Sequence, residues 1–181
     1  MSDGHQRIIE GAARLIRERG IRGTSVADAM KQAELTHGGF YRHFSSKDEL
    51  TIAALRMAFD ELIAPLEVEK NDASAKDALA GFTDLYLSDE HVLNPGIGCP
   101  MPVLAGEVGR EGEAVKAEFG AGVRRTVEAM ESGLTQSTAE QRRAAALQNL
   151  CMLVGAVTLA RASDTATAHA ILEAARATFR N

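Results

Sequence analysis

The sequence predicts an all-α protein of about nine helices, and three observations support this fold class. Apolar residues recur at intervals of three and four along most of the 181 residues, which is the spacing of one helix face. Several predicted helix starts carry a capping box, and the chain contains only four prolines. Apolar and polar residues nowhere alternate in the sequence as they do in a half-buried strand.

The first three helices are predicted within the N-terminal 46 residues. Helix one runs from about residue 3 to residue 19, and Gly20 supplies a left-handed cap after it. Ser25 and Asp28 form a capping box that starts a short second helix. The hydroxyl of Thr36 can cap the third helix, so the three helices follow one another through short connections.

Six further helices are predicted in the rest of the chain. Ser46 with Glu49 forms a capping box for helix four, and Ser74 with Asp77 caps helix five. The remaining segments are predicted as a loop over 88–100, a short helix to about 108, helix seven over about 112–134, helix eight over 138–161 and helix nine over 164–179. The order of elements therefore predicts a short helical module followed by a larger helical body.

The third helix has a composition that does not favour stability. Gly38 and Gly39 each cost about 1 kcal/mol relative to alanine inside a helix, but they leave its face flat. Phe40 and Phe44 are four residues apart, so they can anchor the helix from one side. Between them are Tyr41, Arg42 and His43, which can donate to phosphate oxygens. This combination suits a surface that approaches the major groove of DNA closely.

From about residue 8 to residue 50 the chain resembles the TetR family of bacterial transcriptional regulators, most strongly over residues 36–50. The resemblance implies a DNA-binding domain over 1–46 and a ligand-binding and dimerisation domain over 47–181. By position it implies phosphate contacts from Ser25, Thr36, Tyr41, His43 and Lys47, and base-facing positions at His37, Gly38 and Gly39. Arg42, from its own chemistry, is a further candidate donor to phosphate.

The resemblance also implies a ligand-responsive regulator, most often a repressor, that leaves its operator DNA when a small molecule binds. A homodimer is implied, built through helices eight and nine. The apolar stripe of helix eight is wider than one buried face needs, which fits a partner subunit, although one large monomer core is the alternative.

Glu34 departs from the family pattern, which has glycine in this turn. The position often needs a positive φ, which costs a non-glycine residue on the order of 1 kcal/mol. The charge of the chain also argues for weak DNA binding. Residues 1–50 carry eight Lys/Arg against seven Asp/Glu, and the whole chain has a net charge of −5. The alternative function is therefore a helical protein-interaction adaptor with weak or lost DNA binding.

Other classes of protein find little support in the sequence. We expect no enzyme, no cofactor and no metal site, because the sequence contains no phosphate loop, paired catalytic carboxylates or metal-ligand cluster. Two cysteines make no disulfide framework. We also expect a cytoplasmic protein without a membrane span, because the N-terminus lacks the apolar stretch of a signal peptide and no run of 18 apolar residues occurs.

Four residues of the body are candidates for binding the effector. Cys99 lies near a predicted helix start, where a lowered pKa would make it a redox or electrophile sensor, but a buried cysteine is the simpler interpretation. Met101 could line an adaptable apolar pocket or belong to the core. Arg161 could pair with Glu107, meet a ligand carboxylate or interact with its own helix dipole.

Overall fold

A computed structural model describes residues 3–67 and 72–180, and it confirms the all-α fold class. Those residues contain nine α-helices: α1 (Asp3–Arg19), α2 (Val26–Gln32), α3 (Lys47–Ile63), α4 (Asp72–Tyr86), α5 (Asp89–Leu93), α6 (Met101–Val108), α7 (Glu113–Glu131), α8 (Ala139–Arg161) and α9 (Thr165–Arg180). Short 3₁₀ helices occupy His37–Arg42, Ala64–Leu66 and Pro95–Ile97. No strand occurs in the described ranges.

The chain forms two compact units, each built from two segments. The first unit contains the described residues up to Asp60 and the segment Pro95–Gly122. Its core joins α1, α2, the His37–Arg42 segment, the start of α3, α6 and the start of α7 through fully buried apolar side chains, which include Ile8, Met30, Phe40, Leu55 and Leu104. The first unit therefore packs α1 against α6, although a long stretch of chain separates the two helices.

The second unit contains Glu61–Asn94 and the described residues from Val123 onward. Its main packing is between the long helices α8 and α9, and α4 and α5 also contact this pair. The buried side chains are aliphatic with few aromatics, and they include Leu87, Val127, Met130, Leu153 and Leu172. An aliphatic core of this kind follows from a composition with only 4% aromatic residues.

The structure corrects two predicted elements. The third helix is a 3₁₀ helix over His37–Arg42, and the side chain of Thr36 makes no capping hydrogen bond to it. The predicted loop over 88–100 contains α5, because the Ser88 side chain accepts a hydrogen bond from the amide of His91 at 3.1 Å.

The predicted helix starts have mixed outcomes. The capping box at Ser25 is confirmed, and α8 begins with a further capping box formed by Thr138 and Gln141. At the start of α3, the amide of Glu49 donates to Ser46 Oγ at 3.1 Å, but its carboxylate binds the amide of Ser45. α4 begins two residues before Ser74, whose side chain lies outside the described residues.

Candidate nucleic-acid interface

The helix α2 is held at its first turn by the Ser25 capping box. The amide of Asp28 donates to Ser25 Oγ at 3.1 Å, and the amide of Ser25 donates to the Asp28 carboxylate at 3.0 Å. The hydrogen bond from the Ser25 hydroxyl, followed by the one from its amide, lowers the pKa of the Asp28 carboxyl. On the opposite side Ala29 and Met30 are buried, so α2 has a defined orientation in the first unit.

The turn after α2 has the geometry of a Schellman motif. The amide of Leu35 donates to the carbonyl of Met30 at 2.9 Å, and the amide of Glu34 donates to the carbonyl of Lys31 at 3.0 Å. Glu34 has a φ of 57°, which confirms the positive φ predicted at this position. Its carboxylate accepts from the Arg7 guanidinium at 2.9 Å, so an exposed ion pair offsets its negative charge.

The His37–Arg42 segment is anchored by two aromatic side chains. Phe40 and Phe44 are 1% and 3% exposed, and their rings stack with centroids 5.7 Å apart. The sequence prediction that they share a buried face is therefore confirmed. Tyr41 contacts the edge of Phe40 but remains 78% exposed. A large aromatic side chain that stays exposed beside two buried ones is a candidate contact for another molecule.

The two glycines of this segment are not required by the packing of the chain. A Cβ built at Gly38 meets no atom within 4 Å, and one built at Gly39 makes only ordinary contacts with Met30 and Thr36. Neither glycine has a positive φ. Glycine therefore leaves open space here that another molecule can approach.

Lys47 and His43 flank this segment. Lys47 Nζ donates to the carbonyl of Ile21 at 2.9 Å, which ties the start of α3 to the loop between α1 and α2. The half-buried His43 lies beside His5, with ring centroids 6.1 Å apart, and His5 stacks on Phe44 at 4.6 Å. Both side chains are thus positioned by neighbours from the N-terminal part of the chain.

All nine predicted DNA-contacting residues belong to the first unit. Seven are exposed: Ser25, Thr36, His37, Gly38, Tyr41, Arg42 and Lys47. Gly39 and His43 are half-buried. These positions can supply hydroxyl, imidazole, guanidinium and ammonium donors, which are the groups that bind phosphate oxygens in protein–DNA complexes.

Two residues that support this surface have no local sequence signal. Arg7 on α1 pairs with Glu34, 27 residues away. Glu107 on α6 accepts hydrogen bonds from the amides of Ile21 and Arg22, at 2.7 and 3.3 Å. Sequence reasoning found Glu107 only as an effector candidate, because contacts between residues 86 positions apart leave no periodic pattern.

The four effector candidates lie in different surroundings. Cys99 and Met101 are buried in the first unit, and the Met101 amide lies 3.4 Å from Cys99 Sγ. Arg161 belongs to the second unit and donates to the carbonyls of His91 and Val92, at 2.6 and 3.0 Å. Its guanidinium thereby satisfies carbonyl groups at the C-terminal end of α5.

Two of the cavities among the described residues of the second unit are open and large enough to admit a small molecule. One has a volume of about 430 Å³ and is lined by Ile63, Leu66, Glu67, Arg125, Glu128, Ala129 and Ser132. The other has a volume of about 330 Å³, and Arg161, Leu93 and His169 are among its lining residues. No group of three or more potential metal ligands occurs in the part of the chain that the structure describes.

One described helix, α8, is long and apolar enough to cross a membrane by length and composition. About 33% of its most apolar stretch is buried within the chain. Core helices of soluble proteins pass the same test, so this finding alone does not indicate a membrane protein.

Comparison with known proteins finds transcriptional regulators that are similar in sequence to the N-terminal part of this chain. The model of the family described as "Bacterial regulatory proteins, tetR family" matches residues 8–54, which contain most of α1, all of α2 and the His37–Arg42 segment. The HTH-type transcriptional repressor KstR2 of Mycobacterium tuberculosis is 40% identical over 86 residues. That match covers 46% of this chain and 43% of the repressor, so the chain spans less than half the length of this relative.

Solved structures extend the likeness to the whole fold. A TetR transcriptional regulator from Chloroflexus aurantiacus has a TM-score of 0.75 and 26% identity, over 97% of this chain and 91% of that one. A TetR transcriptional regulator from Legionella pneumophila has a TM-score of 0.82 at 21% identity, over 98% and 96% of the two chains, which shows a shared fold.

The fold and the site define a helix-turn-helix protein with a helical C-terminal body. Residues 8–54 match the model of the tetR family of bacterial regulatory proteins, and the chain as a whole has the fold of solved TetR transcriptional regulators.

Proposed function

We propose that this chain is a DNA-binding transcriptional regulator that acts as a repressor, and that a small molecule releases it from its operator. The observation that carries the proposal is the His37–Arg42 segment. It is anchored by two buried phenylalanines, yet it presents an exposed Tyr41 and an unobstructed Gly38. A segment built this way is stable enough to keep its shape and open enough for bases and phosphates to approach.

The proposal includes a homodimer formed through α8 and α9. Leu147 and Leu159 on α8 are 42% and 58% exposed, and Cys151 on the same helix is also exposed. A Cβ built at Gly155 meets no atom within 4 Å, so this helix keeps a small residue that packing within the chain does not need. Exposed apolar side chains beside a small residue favour close approach of another helix. A dimer would also read two half-sites of DNA.

The effector and its binding residues remain predictions. We retain the proposed division into a DNA-binding domain over 1–46 and a ligand-binding and dimerisation domain over 47–181. Cys99, Met101, Glu107 and Arg161 stay candidates for contact with the effector. Arg161 lines the smaller of the two cavities described above, whereas Cys99, Met101 and Glu107 belong to the first unit. We further propose a cytoplasmic location and no catalytic activity.

The test is fluorescence anisotropy of the purified protein against DNA from upstream of its own gene, with scrambled DNA as the control. A dimer that contacts about eight phosphates should give a log–log salt slope of about −7. Selective binding with a steep salt dependence supports the regulator. An adaptor that has lost DNA binding would show little affinity for either DNA at any salt concentration, which would overturn the proposal.

A further inference from the structure

We propose that Glu107 of α6 is a positioning residue for DNA binding, and that it acts by fixing the peptide group to which Lys47 is bound. This inference rests on the proposed DNA-binding function. Glu107 lies outside the helix-turn-helix segment and makes no contact with DNA in the proposal. Its effect would pass through the Ile21–Arg22 peptide to the ammonium group of Lys47.

The hydrogen bonds around one peptide group carry the argument. The carbonyl of Ile21 accepts from Lys47 Nζ at 2.9 Å, and the N–H of the same peptide, which belongs to Arg22, donates to Glu107 Oε2 at 3.3 Å. The amide of Ile21 donates to the same carboxylate oxygen at 2.7 Å. The peptide therefore lies between a carboxylate on its N–H side and an ammonium on its C=O side. Each charge polarises the peptide in the direction that strengthens the other hydrogen bond.

The local backbone makes room for this carboxylate. Gly20 has a φ of 80°, and a Cβ at this position would overlap the carboxylate of Glu107. Gly20 therefore serves two purposes, since it ends α1 in the left-handed conformation and leaves space for the side chain from α6. Glu107 as a residue is half-buried, which limits competition from water for the two amides.

The consequence concerns the donors that Lys47 can offer to DNA. An ammonium group has three N–H donors, and the bond to Ile21 uses one of them, leaving two for a phosphate oxygen. A lysine with its Nζ already held has less side-chain freedom to lose when it binds a phosphate. Without Glu107, the loop between α1 and α2 loses two hydrogen bonds and Lys47 loses a fixed acceptor.

The test compares Glu107→Ala, Lys47→Ala and the double variant by anisotropy with a labelled duplex from upstream of the gene, across a salt series. Each single change should weaken binding about tenfold, the order expected for one charge-assisted hydrogen bond. Each should also lower the salt slope by about 2 per dimer, because one phosphate contact per subunit is lost. The double variant should bind no more weakly than Lys47→Ala alone, because both changes remove the same contact.

Two controls separate positioning from charge. Glu107→Gln keeps an acceptor oxygen for both amides and should bind nearly as the parent does. Glu111→Gln removes a nearby carboxylate that contacts the side chain of Arg22 at 3.3 Å, and it should leave binding unchanged or slightly tighter. Loss of negative charge alone would tighten DNA binding, so weakening by Glu107→Ala cannot arise from charge. If Glu107→Ala does not fold, as judged by circular dichroism, Glu107→Leu takes its place.

The outcomes distinguish this inference from the proposed function. If the parent protein binds no DNA at any salt concentration, the proposed function fails and the inference fails with it. If the parent binds but Glu107→Ala binds equally well or better, only the inference is overturned. Effects of the two single changes that multiply in the double variant would also overturn it, because they would show that the two residues act independently.

Discussion

At the level of single residues, Gly38 separates what the fold needs from what the proposed function needs. It lies in the His37–Arg42 3₁₀ helix, where a Cβ has open space and the φ is negative. Alanine is therefore compatible with both the backbone and the surroundings. Since glycine loses more conformational entropy on folding than alanine does, its presence here has no explanation in the stability of the free chain.

We predict that Gly38→Ala leaves the free protein equally stable or stabilises it by about 0.4–1 kcal/mol. The same change should weaken DNA binding, because the added methyl group occupies the space that DNA would approach. Thermal melting and anisotropy measure the two effects. Gly81→Ala on α4 is the matched control, since a Cβ there also meets nothing within 4 Å, and it should leave DNA binding unchanged. Unchanged affinity of Gly38→Ala would argue against this face as the DNA-contacting surface.

Glu34 gives a second residue-level prediction, because its positive φ and its charge can be separated. Both Glu34→Gly and Glu34→Ala remove the exposed pair with Arg7, which is worth about 0–1 kcal/mol. Only Glu34→Gly also relieves the backbone strain, so it should be about 1 kcal/mol more stable than Glu34→Ala, which corresponds to a melting temperature roughly 2–4 °C higher.

Both Glu34 variants lose a negative charge near the proposed DNA surface, so both should bind DNA more tightly at low salt. Of the two variants, Glu34→Gly should have the higher melting temperature. Equal melting temperatures for the two variants would show that the positive φ of 57° stores no strain at this position.

At the level of elements, α5 is a short helix held in place by its surroundings. Ser88 caps its start, and the guanidinium of Arg161 binds the carbonyls of His91 and Val92 near its end. His91 Nδ1 donates to the carbonyl of Tyr86 at 2.6 Å. A helix of five residues has little stability of its own, so these contacts from α4 and α8 define it.

The surroundings of His91 predict a pH dependence of stability. Burial lowers the pKa of His91, and the charge of Arg161 acts in the same direction, although the bond to the Tyr86 carbonyl opposes it. The folded state therefore excludes a proton that the unfolded chain binds below about pH 6.5. This contribution to stability is present above pH 6.5, and it is lost as the pH falls toward the lower pKa of the folded state.

Denaturant unfolding of the parent and of His91→Gln at pH 7.5, 6.5 and 5.5 measures this effect. The decline in unfolding free energy between pH 6.5 and 5.5 should be smaller for His91→Gln than for the parent. His169→Gln, which alters an exposed histidine of α9, should decline as the parent does. Parallel curves for His91→Gln and the parent would show that His91 does not titrate differently in the folded state.

At the level of the whole molecule, the exposed side chains of α8 predict the assembly. Leu159→Glu places a charge on the proposed interface, so it should shift the protein from dimer to monomer in sedimentation experiments. DNA binding should weaken at the same time, because a monomer reads a single half-site. Leu85→Glu is the control, since Leu85 is 54% exposed on α4, and it should leave the dimer intact. A dimer that survives Leu159→Glu would place the interface elsewhere.

Local physics in the sequence determined much of the fold and the outline of the site. The capping box at Ser25, the left-handed Gly20, the positive φ at Glu34 and the shared buried face of Phe40 and Phe44 all involve residues close together in the chain. Backbone sterics and helix periodicity are sufficient to predict features of this kind. The resemblance over residues 8–50 then placed the candidate DNA contacts on these elements.

Tertiary structure alone decided which distant groups meet. The sequence shows Glu107 and Arg161 as isolated charges near helix ends, and their pairing with each other was one of several interpretations. In the fold, Glu107 binds the amides of Ile21 and Arg22, and Arg161 binds carbonyls at the end of α5. Both satisfy backbone groups that lie about 70 or more residues away. Which unpaired backbone group a charged side chain reaches depends on how the helices pack, and that information is not contained in local periodicity.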